Sequence, residues 1–427
     1  MKKQRGDLQV DFSFTEEQKQ IKALVKQFCQ REVDQKRLEE VAAKTFEART
    51  VEELRAAFPY DLLEKLHQVG LRQLSVPQKY GGTAPETDVN LTLTMAAEEV
   101  GYWGGRIVDP LMIPWLFLRA IATNRYITEV QKKWIFSKFI ENPRLVIATS
   151  VGEPAGGTDI HLPYDEGGSS ILQVTAHKEG KEWVINGDKT FCSNGGTADF
   201  IMLAARTDKD APVSQAMTFF WVPTNAPGIT LTPNRMLTLE FGGNCQAHYD
   251  NVRVPESNLI GQVNKGFSII ESFFQAHLPG VSCSVGVMQR IYEQMREYAK
   301  QRIGGGKPII EHTSIASKLG EMAVNLESLR SLLYRCAWEI DQVEKAGGRA
   351  LGESNWFWFT AGYAFFKQVS WRFCELATDI YGGMSASVDL PLGGFLKHIF
   401  YVRAAGLTVD VELIRACRDY DTRYRGG

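Results

Sequence analysis

Two stretches carry residue types that let a backbone come close to a flat ligand. The first runs from Val146 to Asp159, with Gly152-Glu153-Pro154-Ala155-Gly156-Gly157-Thr158-Asp159 at its centre. The second is Trp183-Val184-Ile185-Asn186-Gly187-Asp188-Lys189-Thr190-Phe191-Cys192-Ser193-Asn194-Gly195-Gly196. Glycine admits close backbone approach, and exposed N–H and C=O groups with small hydroxyls can meet the polar edge of a ring whose faces are apolar. The same residues also suit plain hairpins and turns, so neither stretch decides the matter alone. Other chemistries lack support. Gly306-Lys307 is followed by Pro308, and Gln301 stands where a phosphate loop has its first glycine. The seven histidines show no metal-ligand spacing. No Gly-x-Ser-x-Gly elbow occurs, and no Gly-x-Gly-x-x-Gly joins a strand to a helix.

The elements that must hold these stretches follow from periodicity. Residues from about 12 to 144 read as helical: Thr15-Glu16-Glu17-Gln18 fits a capping box, and Ile21, Leu24, Val25 and Phe28 keep the stripe of an amphipathic helix. Strand-like runs begin at Val146 and continue at Ile171–His177, Trp183–Ile185, Phe200–Ala205, Met217–Val222, Ile229–Leu231 and Ala247–Val254. Asn186-Gly187 between apolar runs predicts a hairpin turn. From Gly266 onward long apolar stripes return over 267–301, 312–345, 353–380 and 404–419, punctuated by Gly304-Gly305-Gly306 and Gly382-Gly383. The expected fold class is α+β and multidomain, with a helical unit over 1–144, a middle antiparallel β-barrel-like unit over 145–262, and a C-terminal four-helix bundle over 263–427.

The totals are compatible with this. The chain has 427 residues, enough for two or three packed units, with 44% hydrophobic and 23% charged residues and a formal net charge of −2. No basic surplus points to a nucleic-acid partner, and no apolar run is long enough to span a bilayer. The charged start lacks an apolar leader, and the seven scattered cysteines form no Cys-x-x-Cys pair. A cytoplasmic, reducing location is the expectation.

Helix–β–helix order, the opening Phe12-Ser13-Phe14-Thr15-Glu16-Glu17-Gln18 and the two glycine-rich signatures about 35 residues apart resemble the acyl-CoA dehydrogenase family. The resemblance covers nearly the whole chain. It implies FAD as cofactor, with Thr149, Val151, Gly152, Gly157, Thr158, Phe191 and Ser193 lining the flavin. It implies that Arg302 reaches the FAD pyrophosphate of a neighbouring subunit, that Gly382 and Gly383 pass close to the same cofactor, and that Thr408 belongs to the cofactor site. It further implies an acyl-CoA thioester substrate, an electron-transfer flavoprotein as acceptor, and a homo- or hetero-tetramer. Asp379 departs from the glutamine usual there, and a carboxylate near a pyrophosphate is repulsive.

Family members remove the substrate α-proton with a carboxylate while hydride leaves the β-carbon for the flavin, and the thioester carbonyl is polarised by hydrogen bonds. Counting on from Gly382-Gly383 places Gly406-Leu407-Thr408 where the resemblance calls for Glu-Gly-Thr, so Gly406 occupies the base position with a backbone N–H alone. A subset of the family carries its base on the first helix of the C-terminal domain, and there His277 falls, with Leu278 where arginine is common. Three accounts stay open. His277 is the base, since an ordinary imidazole is neutral at pH 7. Alternatively the enzyme is a lyase or reductase acting on an acyl-CoA thioester without such a base. Or the chain is a cofactor-completing subunit of a mixed oligomer. A one-turn slip in the count brings Asp410 or Glu412 into play.

Overall fold

The computed structural model describes residues 13–104, 108–161, 172–237, 242–348, 357–404 and 407–425. Thr15 opens the first helix as its pattern requires: its hydroxyl accepts from Gln18 N, and the Gln18 side chain accepts from Thr15 N. Among the described residues, seven helices precede the sheet: α1 Glu16–Glu32, α2 Gln35–Glu47, α3 Val51–Ala57, α4 Tyr60–Gln68, α5 Val89–Gly104, α6 Val108–Thr123 and α7 Glu129–Glu141. The short α8, Val213–Ala216, lies among the strands. After them come α9 Gly266–Gln275, α10 Leu278–Gln301, α11 Thr313–Lys345, α12 Phe357–Tyr381, α13 Leu392–Ala404 and α14 Val409–Arg425. None of the described helices is long and apolar enough to cross a membrane.

The strands are β1 Ile147–Ser150, β2 Thr175–Glu179, β3 Glu182–Ser193, β4 Phe200–Arg206, β5 Met217–Pro223, β6 Ile229–Asn234, β7 Asn244–Pro255 and β8 Leu259–Ile260. They form one sheet in the order β6-β7-β3-β1-β4-β5-β8, with β2 against β3 and β4. The expectation of an antiparallel barrel needs two amendments. β4 runs parallel to β1 and to β2, and among the described residues the end strands β6 and β8 do not pair. β4 and β5 read as unbroken apolar runs because both sheet faces are covered. Ile201, Leu203, Phe220 and Val222 pack with α1, α2, α4 and α5, while Met202, Ala204, Phe219 and Trp221 pack with α6, α7 and the C-terminal helices.

The Asn186-Gly187 pair is not the hairpin turn. β3 continues through it, with a register shift between Ile185 and Gly187 against β7. Gly187 has φ +127°, and a Cβ there would lie 3.0 Å from Val174 Cα. Asn186 accepts from Asn251 N at 2.8 Å, so the pair builds a bulge with its own side-chain support. The β2–β3 turn falls instead at Gly180, φ +60°, with Glu179 opposite Glu182.

The helical ends are joined tightly. α5 and α10 cross where a Cβ on Gly286 would sit 2.0 Å from Glu98 O, an approach that glycine permits. The first turn of α5 is capped from α11: the buried Asp341 carboxylate accepts from Asn90 N (3.0 Å) and Leu91 N (2.8 Å).

Candidate functional site

The two glycine-rich stretches meet. β1 and β3 lie side by side with Thr149 opposite Ser193, and Thr190 N donates to Gly152 O at 3.0 Å. Beneath them is an ion pair that sequence reasoning missed. Lys189 Nζ lies 2.6 Å from Glu153 Oε1, with both side chains at most 1% exposed, and it also donates to Val151 O at 2.9 Å. Glu153 in turn accepts from Gln173 N and Val174 N. Burial pushes the Lys189 ammonium down to about 8 even against that carboxylate. Both residues stand inside the quoted motifs. The signal that could have found the pair is a charged residue at an inward strand position.

Above this pin the surface is unfinished in a specific way. Thr149 Oγ1 is buried without a hydrogen-bond partner. Phe191 is 60% exposed and held at φ +53°, a region that costs a non-glycine residue about 1–3 kcal/mol. A Cβ added to Gly157 would meet nothing within 4 Å, and one on Gly152 would meet Thr190 O alone, at 3.6 Å. Val151, Gly152, Thr158 and Ser193 are half-buried along the same loop and strand. An orphaned hydroxyl, an aromatic face turned outward and open glycines are what a flat ring with one polar edge completes, so these residues fit an isoalloxazine.

A second group lies at the far end of α10. Arg302, exposed, terminates that helix. Tyr298, one turn earlier, packs its ring 5.1 Å from that of Tyr381, which precedes Gly382 (φ +58°) and Gly383, both open around their Cα atoms. Tyr381 Oη is buried and unpartnered. The Asp379 carboxylate that jarred with a pyrophosphate is paired with Lys318 of α11. Among the described residues no hydrogen bond, ion pair or ring contact links Arg302, Gly382 or Gly383 to the β1–β3 wall.

The third group surrounds the expected base. The single apolar stripe over 267–301 is two helices, broken at Ala276-His277. Pro279 is the cause: its ring cannot sit over the Gln275 carbonyl of a continuous helix, and it has no N–H to donate there. His277 N therefore bonds back to Phe274 O at 3.0 Å, and the freed Phe273 carbonyl accepts from His277 Nδ1 at 2.9 Å. A carbonyl can only accept, so the ring proton is on Nδ1 and Nε2 carries the lone pair. Nε2 has no partner among the described residues, and the residue is half-buried. The imidazole stacks on Phe274 at 5.5 Å and meets Phe273 edge-on at 4.4 Å. Burial pushes it down to about 4, and the nearby Lys367 ammonium adds to the effect.

Lys367, on α12, is wholly buried and donates from Nζ to the Leu407 carbonyl. Gly406 lies outside the described residues. Leu407 is buried and Thr408 half-buried. Thr408 opens α14: its carbonyl accepts from Glu412 N at 3.0 Å, and its hydroxyl lies 3.5 Å from Val411 N. Glu412 is 1% exposed with Oε2 unpartnered. Burial raises its carboxyl and lowers the Lys367 ammonium, while each charge opposes the shift of the other. Asp410, the other residue reached by a slip, is exposed.

Comparison with known proteins follows the same three-part division. Models of the acyl-CoA dehydrogenase N-terminal, middle and C-terminal domains match residues 15–142, 148–252 and 264–411. The "Probable medium-chain specific acyl-CoA dehydrogenase 2, mitochondrial" of Caenorhabditis briggsae is 30% identical over 342 residues, covering 78% of this chain and 76% of that protein. Among solved structures, butyryl-CoA dehydrogenase from Megasphaera elsdenii superposes with TM-score 0.77 at 22% identity, covering 96% of this chain and 100% of that one. The FAD complex of PigA gives 0.80 at 20% identity, covering 97% and 100%. With three domain models in order and a relative at this identity over more than two thirds of its length, the chain belongs to the acyl-CoA dehydrogenase family of FAD-dependent oxidoreductases.

Proposed function

We propose that this protein introduces an α,β double bond into an acyl-CoA thioester, with His277 removing the α-proton. The observation that carries the reading is the tautomer: Nδ1 is committed to Phe273 O, and Nε2 is left with a lone pair and no partner among the described residues. An imidazole held near about 4 has the basicity of an ordinary glutamate, about 4.3, so it matches the carboxylate it replaces. Its charge balance differs. A carboxylate base becomes neutral on taking the proton, whereas His277 becomes a cation beside the developing enolate, which favours the pair by attraction. The bound flavin supplies the acceptor for the hydride leaving the β-carbon.

The remaining assignments are those that the family resemblance implies. Thr149, Val151, Gly152, Gly157, Thr158, Phe191 and Ser193 form the ring wall. Arg302, Gly382 and Gly383 serve the pyrophosphate of a neighbouring copy, and Thr408 completes the cofactor site. The backbone N–H of Gly406 polarises the thioester carbonyl, and the missing side chain there suits a bulky or cyclic acyl group. Exposed apolar residues on the last helices, among them Phe400, Leu413 and Ile414, support a tetramer built through this region. An electron-transfer flavoprotein is the fitting acceptor.

The test is flavin absorbance. The protein should purify yellow and bleach when mixed anaerobically with an acyl-CoA it accepts. His277→Gln should keep the colour and lose single-turnover bleaching. Colourless protein that takes up no FAD, or a variant that bleaches at the wild-type rate, refutes the corresponding part of the reading.

A further inference from the structure

Behind the ring wall lie two thiols that the chemistry above does not use. Cys192 stands between Phe191 and Ser193 on β3, directly opposite Cys245 on β7. Both are fully buried, and neither is in a disulfide. Opposed residues of an antiparallel pair share a face, with Cα atoms about 4.5–5.5 Å apart, inside the range of about 4.4–6.8 Å that a disulfide spans. Glycine keeps the space beside them open: a Cβ on Gly195 would lie 3.1 Å from Cys192 Sγ and 3.1 Å from Cys245 Cβ. The pair also closes a bulge. Between the Lys189–Ala247 and Cys192–Cys245 pairs, β3 has Thr190 and Phe191, and β7 has Gln246 alone. Lys189 is fixed by its ion pair with Glu153, so a displacement of Cys192 falls on Phe191. Leu54 of α3 covers the pair. It packs on Cys245, at a strand end where a Cβ on Gly243 would sit 2.6 Å from its Cδ1. Burial pushes both thiols up to about 12, which keeps them protonated and slow to react while that cover is in place.

We propose that Cys192 and Cys245 are a redox switch on the flavin site: a hydroperoxide oxidises the two thiols to a disulfide, and the disulfide weakens FAD binding. The switch rests on the reading that Phe191 and Ser193 line the flavin. With hydrogen peroxide, one thiol gives up its proton and its sulfur attacks an oxygen, breaking the O–O bond. That sulfur becomes a sulfenic acid, and the other oxygen leaves as water with the thiol's proton. The second thiol then attacks the sulfenic sulfur, forming the S–S bond and releasing a second water. The thiols lose two electrons and the peroxide takes them. Bonding brings the Cβ atoms from about 4.5–5.5 Å to about 3.8 Å. The strands are drawn together at the foot of the bulge, and the Phe191 ring moves with them.

The test uses the FAD-loaded Cys417→Ser protein, in which no exposed cysteine consumes peroxide. After peroxide treatment the protein is denatured and alkylated, its peptides are mapped by mass, and FAD affinity is measured by fluorescence on a parallel sample. A Cys192–Cys245 linked peptide should appear, with both thiols withheld from alkylation. FAD Kd should rise by about tenfold, equal to about 1.4 kcal/mol, the scale of one aromatic stacking contact, and dithiothreitol should restore it. Cys245→Ser in the same background should bind FAD normally and ignore peroxide. Leu54→Ala should link faster; an unchanged rate overturns the role of α3 as cover. Cysteines that stay open to alkylation, or that oxidise singly to sulfinic acids, overturn the proposal whether or not Cys245→Ser folds. A linked pair with unchanged FAD affinity overturns the switch if Phe191→Gly weakens FAD binding. If Phe191→Gly also binds as wild type, the ring-wall reading is what fails.

Discussion

Lys189→Met is the sharpest perturbation of the ring wall. The substitution keeps the length and apolar bulk of the side chain and removes the charge that sits 2.6 Å from Glu153. Breaking one side of a buried pair costs about 3–5 kcal/mol, because the other charge is left uncompensated. Here Glu153 retains two backbone donors, Gln173 N and Val174 N, so the lower figure, about 3 kcal/mol, applies. Spread over the unfolding entropy of a 427-residue chain, that is about 3 °C in Tm if the chain melts together. The loss falls where Glu153 and Val151 anchor the glycine loop, so FAD affinity should weaken as well, by about tenfold for each 1.4 kcal/mol that loop ordering contributes. Thermal melting of the apo and FAD-loaded proteins, with a flavin titration by fluorescence, reads both quantities. Lys189→Met with Glu153→Gln should recover part of the lost stability, since the stranded charge is gone. An unchanged apo Tm in the single variant, or a double variant no better than the single, refutes the argument that this pair pins the loop.

Other outcomes are expected. Phe191→Gly relieves the positive-φ strain and should raise apo stability by about 1 kcal/mol while weakening FAD binding; equal affinity for both proteins contradicts the stacking role. kcat/KM should hold from pH 8 down to about 5 and fall near about 4, where His277 protonates; an acid limb near the ordinary imidazole value counts against His277 as base. The folded-state values of His277 and His398 both lie below their unfolded value of 6.5, at about 4. Their contribution to stability is therefore complete above 6.5 and is lost as pH falls through about 4, which Tm measured against pH should follow. Native thiol titration should give one fast cysteine, abolished by Cys417→Ser, because Cys417 is exposed and the other six are buried.

Local signals were legible, and long-range ones less so. The Thr15 capping box needs four adjacent residues and appeared as read. The glycine-rich stretches were readable as one wall because their spacing is that of a known arrangement. The β2–β3 turn was misplaced because Asn-Gly serves both turns and bulges. What decides between them here is that Gly187 must pass Val174, with Asn186 bonding to Asn251, and no short window contains those partners. The parallel pairing of β1 with β4 is likewise settled by burial on both faces and has no local marker. Pro279, by contrast, was an available signal: a proline inside an apolar stripe argues for a helix break just before it, and that break gives His277 its bond to Phe273 O.

If His277 is the base, as proposed, the electrostatics of the site differ from those of a carboxylate site as well as its proton chemistry. An active site built around an anionic base has no use for an adjoining ammonium, which would lower that base's proton affinity and bind it as an ion pair. Under the proposed assignment of a neutral imidazole at His277 the constraint is lifted, and a cation in the C-terminal helices becomes tolerable provided it is buried, hydrogen-bonded and partly balanced. Lys367 meets these conditions through Leu407 O, Tyr363 and Glu412.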